Sequence, residues 1–355
     1  MQTATRPIRM THPWVAQASE TIRFGLAYGP RSDWRECRDL VLEAEALGFD
    51  SYWTMDHPTS GVDCWTLLSA LAVTTSTIRL GVAVNCVLYR PPTLLARIAA
   101  DVDRLSRGRL ILGLGIGNHE KEFTKLGIPF LPVRERQEAL TETLEIVEGL
   151  WGSTPFTYTG KHFQVHEATI RPGPVQQPHV PVLVAGGGEQ VTLRQVAQFA
   201  DVASFGADKW AGSALTPADI VRKYGVLRQH CTTLGRDYDS ILRSYSGVPV
   251  LVAETRARLQ ARLATIPAHI RQSYATSTVA GTPEEVCSYY QTLVNAGVRY
   301  FIVGLFGNDR ETVRLLARSV MPYLTASQAR KEEDMPEKQA MLAELLQGRK
   351  EALYV

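Results

Sequence analysis

Cysteine is scarce in this chain of 355 residues, with only Cys37, Cys64, Cys86, Cys231 and Cys287. The number is odd and no two stand at C-x-x-C spacing, which argues against a disulfide framework and a structural zinc site and reads as free thiols in a reducing compartment. The amino end, MQTATRPIRMTHPW, lacks the apolar core of a signal peptide. No apolar run approaches the roughly 20 residues that span a bilayer. A cytoplasmic protein without a membrane contact is expected. One-sided charge is missing too: 38 Lys and Arg stand against 36 Asp and Glu, a net charge of +2. That balance argues against a dedicated nucleic-acid binder. Internal repeats and low-complexity segments are absent as well. What remains is 45% hydrophobic and 21% charged residues, the balance of a globular enzyme with a deep core.

Short aliphatic or β-branched runs alternate with helical patterns along the whole chain. Strands are predicted at 22–28, 50–55, 78–84, 110–116, 181–185, 201–205, near 248–253 and at 300–305. Helices between them include one capped by Asp33 and stopped by Gly48, one over 66–74, one over 93–105, and one over 217–234 capped by Thr216. Eight strands with intervening helices predict a (β/α)8 TIM barrel rather than an open sheet. An open dinucleotide-binding sheet would place a Gly-rich turn after the first strand, where Tyr28-Gly29-Pro30-Arg31 stands instead. The stretch 156–180 reads as an insertion that begins with a hairpin at 158–163. Residues 1–324 form the expected barrel domain. The charged stretch 325–355, with an apolar stripe at Met341, Leu342, Leu345 and Leu346, forms the expected C-terminal helical tail, docked on the barrel or on a partner subunit.

In such a barrel the reacting groups gather at the carboxyl ends of the strands. His57, after the second strand, has a ring that takes or gives a proton near neutral pH. The plainer reading of its spacing alone is a surface loop histidine hydrogen-bonded by Asp56. Gly186, Gly187 and Gly188, between a strand and a helix, suit a phosphate, with the Thr192 hydroxyl one turn on. The alternative is a flexible turn. The alternate glycines Gly113, Gly115 and Gly117 suit the close approach of a flat ring to backbone. Asn85 and Asn118 either hydrogen-bond such a ring or satisfy their own loops. His119, Glu120 and Glu122 converge with no fixed ligand set, so no metal is expected. Of Tyr52 and Trp53, which alternate on a strand, one is expected in the core and the other at the barrel mouth.

These residues together resemble the bacterial luciferase-like family. Gly48-Phe-Asp-Ser-Tyr-Trp-Thr-Met-Asp-His57 is similar to its second-strand signature. Ile78-Arg-Leu-Gly81, Arg90-Pro-Pro-Thr-Leu-Leu-Ala-Arg97, Asp103-Arg-Leu-Ser-x-Gly-Arg109 and Leu112-Gly-x-Gly-x-Gly117 follow in the family's order. Gly186-Gly187, Ala200-Asp201, Ala280-Gly-Thr-Pro-Glu-Glu285, Ala296-Gly297 and Met321-Pro322 complete it. The resemblance implies a homodimer of barrels with a flat ring at the mouth, near Ala83, Val84, Asn85, Gly115 and Asn118. It implies a phosphate against Gly186, Gly187, Gly188 and Thr192, and a non-proline cis peptide near Ala83-Val84. The Asp56-His57 pair is similar to the branch that uses the deazaflavin coenzyme F420. For that branch it implies hydride transfer to or from a small organic substrate, with His57 as acid/base oriented by Asp56. The family's other branch implies an FMN-dependent monooxygenase fed by a partner flavin reductase; a flavin-binding barrel without turnover is a third possibility. Glucose-6-phosphate dehydrogenases of the F420 branch carry a glutamate where Asn118 stands and a tryptophan soon after the histidine. Pro58-Thr59-Ser60 stands there in this chain, which points away from sugar-phosphate oxidation.

Overall fold

The computed structural model describes residues 9–18, 21–29, 33–207 and 216–324. Eight parallel strands close into a ring: β1 (Arg23–Ala27), β2 (Ser51–Thr54), β3 (Arg79–Val82), β4 (Leu110–Gly115), β5 (Val182–Ala185), β6 (Val202–Phe205), β7 (Leu242–Val252) and β8 (Tyr300–Leu305). Each pairs with the next, and β8 returns to β1 in the register Phe24 opposite Phe301. Every strand is buried on both faces, which is why most read as near-continuous apolar runs rather than alternating ones. Helices including Trp34–Ala46, Cys64–Thr74, Pro92–Leu105, Val133–Leu150, Thr192–Phe199, Pro217–Leu234, Pro283–Asn295 and Arg310–Ser319 form the outer layer.

The helix boundaries follow their caps. Asp33 accepts from the Arg35 N–H, and Gly48, at φ 84°, ends the first of these helices. Asp63 accepts from the Thr66 N–H, which starts the second at Cys64, two residues earlier than its periodicity predicts. Thr216 and Asp219 cap each other reciprocally. Strand β7 also begins early, at Leu242. Its first half carries Ser244 and Ser246, the latter bonded to Ser204 Oγ at 2.8 Å, and a register shift falls between Ser246 and Val248. Polar residues and a bulge hid this part of the strand from an apolar pattern.

Both residues of the Tyr52–Trp53 pair are fully buried, so neither faces the mouth. Tyr52 packs in the layer between barrel and helices, and its hydroxyl donates to the Tyr28 carbonyl at 2.5 Å. Trp53 fills the barrel interior with Ile111, Leu183, Val202, Leu242, Tyr300 and Ile302. Its indole N–H donates to Ser51 Oγ at 2.7 Å and Tyr300 Oη at 3.0 Å. Gly25 and Gly81 make room for it, since a Cβ on either would run into the indole.

The amino-terminal end of the barrel is closed by the helix Pro13–Ala18. Trp14 meets Tyr300 edge-on at 5.8 Å, donates to Asp50 Oδ1 at 3.1 Å and lies under the Arg79 guanidinium at 4.9 Å. Beside it Asp201 accepts from Arg9, from His179 at 2.9 Å and from the Val182 N–H at 2.8 Å. The predicted insertion contains an antiparallel hairpin, Phe156–Thr159 with Gln164–Ala168, whose turn N–H groups at Lys161, His162 and Phe163 converge on Glu142. The predicted tail, 325–355, lies outside the described residues.

Candidate active site

The ends of β2 through β5 face the same side of the barrel, and four connections there carry the polar groups. After β2 the chain runs Met55-Asp56-His57. The His57 side chain is 33% exposed, and its Nδ1 lies 2.8 Å from Glu122 Oε2. Glu122 comes from the short helix Glu120–Leu126 that follows β4. Its Oε2 also accepts from the Tyr89 hydroxyl at 3.1 Å, and its Oε1 accepts from the Thr59 N–H at 3.2 Å and hydroxyl at 3.0 Å. Burial on its own raises the Glu122 pKa, yet the bonds from His57 and Thr59 outweigh it and hold the carboxyl below its ordinary value. The His119 ring stands edge-on to His57 at 5.1 Å.

Asp56 does not orient His57. Its buried carboxylate turns the other way, accepting from Arg90 Nη1 at 2.7 Å and from the Cys86 N–H at 3.2 Å. An Arg–carboxylate bond in a buried place is far stronger than one to a half-exposed imidazole, so Arg90 wins the competition for Asp56. Its effect is to pin the start of the β2 loop onto the connection after β3. The expected partnership with His57 belongs to Glu122.

After β3 the Ala83-Val84 peptide is cis, at the predicted place. Pairing resumes at once: Asn85 and Cys86 form a short strand beside Leu114 and Gly115. From Gly81 to Asn85 is four steps, whereas their partners Ile111 and Leu114 are three apart, so this segment holds one extra residue. Such bulges re-aim side chains at barrel rims. Gly115 serves that bulge, because a Cβ there would press on the Val84 side chain. Gly113 likewise clears the Val82 carbonyl, and Gly117 clears Cys86 and Phe123. The alternate glycines are therefore explained by protein neighbours rather than by the approach of a ring. Asn85 is 1% exposed; its Nδ2 donates to the Gly113 carbonyl at 2.9 Å, and its Oδ1 has no donor among the described residues. Asn118 is exposed on the loop after β4. That loop is held by the buried Arg136, which donates to the Gly117 carbonyl.

After β5 the Gly186-Gly187-Gly188 turn leads into the helix Thr192–Phe199. The buried Thr192 hydroxyl lies against Gly188 and accepts from Gln137 Nε2 at 3.1 Å. Lys223, from the helix Pro217–Leu234, donates to the Gly187 carbonyl at 2.6 Å. Burial, helped by Arg222, lowers the Lys223 pKa. This is a built turn, braced from two helices, with a hydroxyl, a cation and a helix N-terminus at one place.

The cis peptide stands where the sequence placed it, and His57, Asn85 and the glycine turn with Thr192, named from sequence, lie in connections at the carboxyl ends of the strands. Sequence reasoning missed Thr59, Tyr89, Arg90 and Lys223, and it weighed Glu122 only as a metal ligand. No local signal marks these residues, because each acts on a group at least 33 positions away.

Comparison with known proteins agrees with the fold and the order of these connections. The F420-dependent glucose-6-phosphate dehydrogenase of Kineococcus radiotolerans is 36% identical over 164 residues, covering 43% of this chain and 47% of that protein, so the match spans about half of the relative's length. A protein of the same name from Microbacterium testaceum is 27% identical over 337 residues, covering 85% of this chain and 97% of its own length. The F420-dependent tetrahydromethanopterin reductase structure from Methanopyrus kandleri superposes with a TM-score of 0.72 at 20% identity, over 86% of this chain and 100% of that one. The model of the family described as luciferase-like monooxygenase matches residues 18–285, and the chain belongs to that family.

Proposed function

We propose that this protein is an F420-dependent oxidoreductase acting on a small organic substrate, with His57 as the group that takes or returns the substrate's proton. The reading rests on the half-exposed imidazole at the barrel mouth, held by a carboxylate on one ring nitrogen. It draws its cofactor from the names of the relatives above. The residues present fit such a cofactor. The Asn85 Oδ1, buried without a donor, matches a ring N–H, and an unmet acceptor in this position is costly, by roughly 1–3 kcal/mol. The Gly186–Gly188 turn, Thr192 and Lys223 would hold its phosphate. When bound, the deazaflavin supplies a ring carbon that carries a hydride.

The protein's own contribution is orientation and proton handling. His57 accepts a substrate hydroxyl proton through Nε2, and Glu122 stabilises the imidazolium that results. Val84 and Asn85, set by the bulge, fix one wall of the mouth, and the β5 turn fixes the phosphate. The substrate differs from the sugar phosphate of the named relatives, since Asn118 and Pro58-Thr59-Ser60 replace the residues noted above. The test is cofactor titration of the purified protein, followed by the absorption spectrum of any cofactor that co-purifies. Saturable binding of F420 with no uptake of FMN supports the reading. Oxygen consumption with reduced FMN, and indifference to F420, would replace it with the monooxygenase.

A further inference from the structure

We propose that Glu122 is the positioning residue of His57: it fixes the ring in the tautomer that carries its proton on Nδ1 and so leaves Nε2 as the free base. This deepens, and rests on, the reading of His57 given above. Four bonds to the Glu122 carboxylate supply the argument. The Thr59 backbone N–H can only donate, and it occupies Glu122 Oε1 together with the Thr59 hydroxyl. The other oxygen, Oε2, receives Tyr89 at 3.1 Å and His57 Nδ1 at 2.8 Å. A carboxylate has about four acceptor positions, and this one meets four donors. A group so surrounded stays ionised and offers no proton of its own. Nδ1 must therefore donate, and a neutral ring that donates from Nδ1 has its lone pair on Nε2. Glu122 is buried and anchored by residues from two other connections, so it holds the plane of the ring as well as its proton.

The arrangement has a known logic: a carboxylate behind a catalytic imidazole sets tautomer and orientation and favours the imidazolium without taking the proton itself. Tyr89 and Thr59 then have a role of their own. They hold the carboxylate in place while His57 changes charge.

The experiment reads the tautomer directly. The full chain is labelled with 15N-histidine and long-range proton–nitrogen spectra are recorded above the range in which imidazoles titrate, with the His57 signals assigned by their loss in His57→Ala. The wild-type ring should be protonated on Nδ1. In Glu122→Gln the amide can donate, so an Nε2–H population should appear and kcat should fall by roughly 10²-fold or more. Glu122→Asp keeps an acceptor-only group and should restore the Nδ1–H signature and part of the rate. A wild-type ring protonated on Nε2 overturns the proposal, as does a Glu122→Gln protein with unchanged tautomer and kcat. The wild-type spectrum and the aspartate variant carry the test even if the glutamine variant fails to fold. The tautomer is read without cofactor or substrate. An Nδ1–H ring in a protein that turns nothing over supports the role of Glu122 while sinking the proposed reaction. An Nε2–H ring in an enzyme that depends on His57 does the reverse.

Discussion

The two ends of the barrel solve the same problem differently. At the amino end Asp201 collects donors from Arg9, His179 and the Val182 N–H, all of them packed around a carboxylate with no exposed surface. At the carboxyl end Glu122 also collects several donors, but one of them is an imidazole that is partly exposed and has a second nitrogen to spare. Both carboxylates are held below their ordinary pKa, Asp201 chiefly against burial by Arg9 and His179. The amino end spends its bonds on closure. Among the described residues, the carboxyl end leaves valence over at His57 Nε2 and at Asn85 Oδ1. A cluster of charges is thus structural or chemical according to what its last member has left to bond.

Exchanging that distinction gives the largest effects. His57→Ala should reduce turnover by about 10²–10⁴-fold while leaving F420 affinity within a few-fold, measured by steady-state kinetics and fluorescence titration. Asp201→Ala should do the opposite. It takes the buried carboxylate away from His179 and from Arg9, which keeps Glu148 as its remaining partner, and should cost about 3 kcal/mol in urea unfolding, with kcat of the folded protein unchanged. Next in size is Asn85→Leu, a nearly isosteric change that removes the unmet acceptor. It should weaken F420 binding by about 1 kcal/mol, while the loss of the bond to the Gly113 carbonyl offsets any gain in stability of the cofactor-free protein; stronger cofactor binding would place the ring elsewhere. Gly187→Val, at the phosphate turn, should weaken cofactor binding through loss of backbone approach, read by the same titration.

A further effect is expected in acid. His12, buried beside His179, accepts from the Trp14 N–H, and burial lowers its pKa to about 4 despite the pull of Asp201. Between the ordinary value of 6.5 and about 4 the unfolded chain binds a proton there that the folded one does not. Stability therefore falls as pH drops through that window. His12→Asn keeps a cap for the first helix and should flatten the slope of urea midpoint against pH between those limits. An unchanged slope would mean that the amino end titrates through other groups.

How far these features could be read beforehand depended on their range. Strands such as β8 were visible because a doubly buried strand is a continuous apolar run. The early start of β7 was hidden by its serines. The helix expected over 66–74 starts two residues earlier because Asp63 is its cap. Among site residues, those whose chemistry is local to a strand end, such as His57 and the Gly186–Gly188 turn, were legible. The partner of His57 was assigned to its neighbour Asp56, although a neighbour in sequence is rarely positioned to face the ring. Residue 122 reaches it across 65 positions, through a contact that only the closed barrel creates. The glycines of β4 were seen as room for a ring; what crowds them in the structure is the end of the preceding strand, at Val82 and Val84.

The extra residue between Gly81 and Asn85 has a consequence for how such barrels diverge. Removing that residue would restore regular pairing, leaving Asn85 opposite Leu114 and Cys86 opposite Gly115, so the whole change would fall on the backbone and side chains at Ala83 and Val84. In this segment chain length acts as a ruler. A homologue with identical lettering but one position fewer would present a different wall to whatever lies in the mouth, so residue spacing across 81–85 is the character to compare first among relatives.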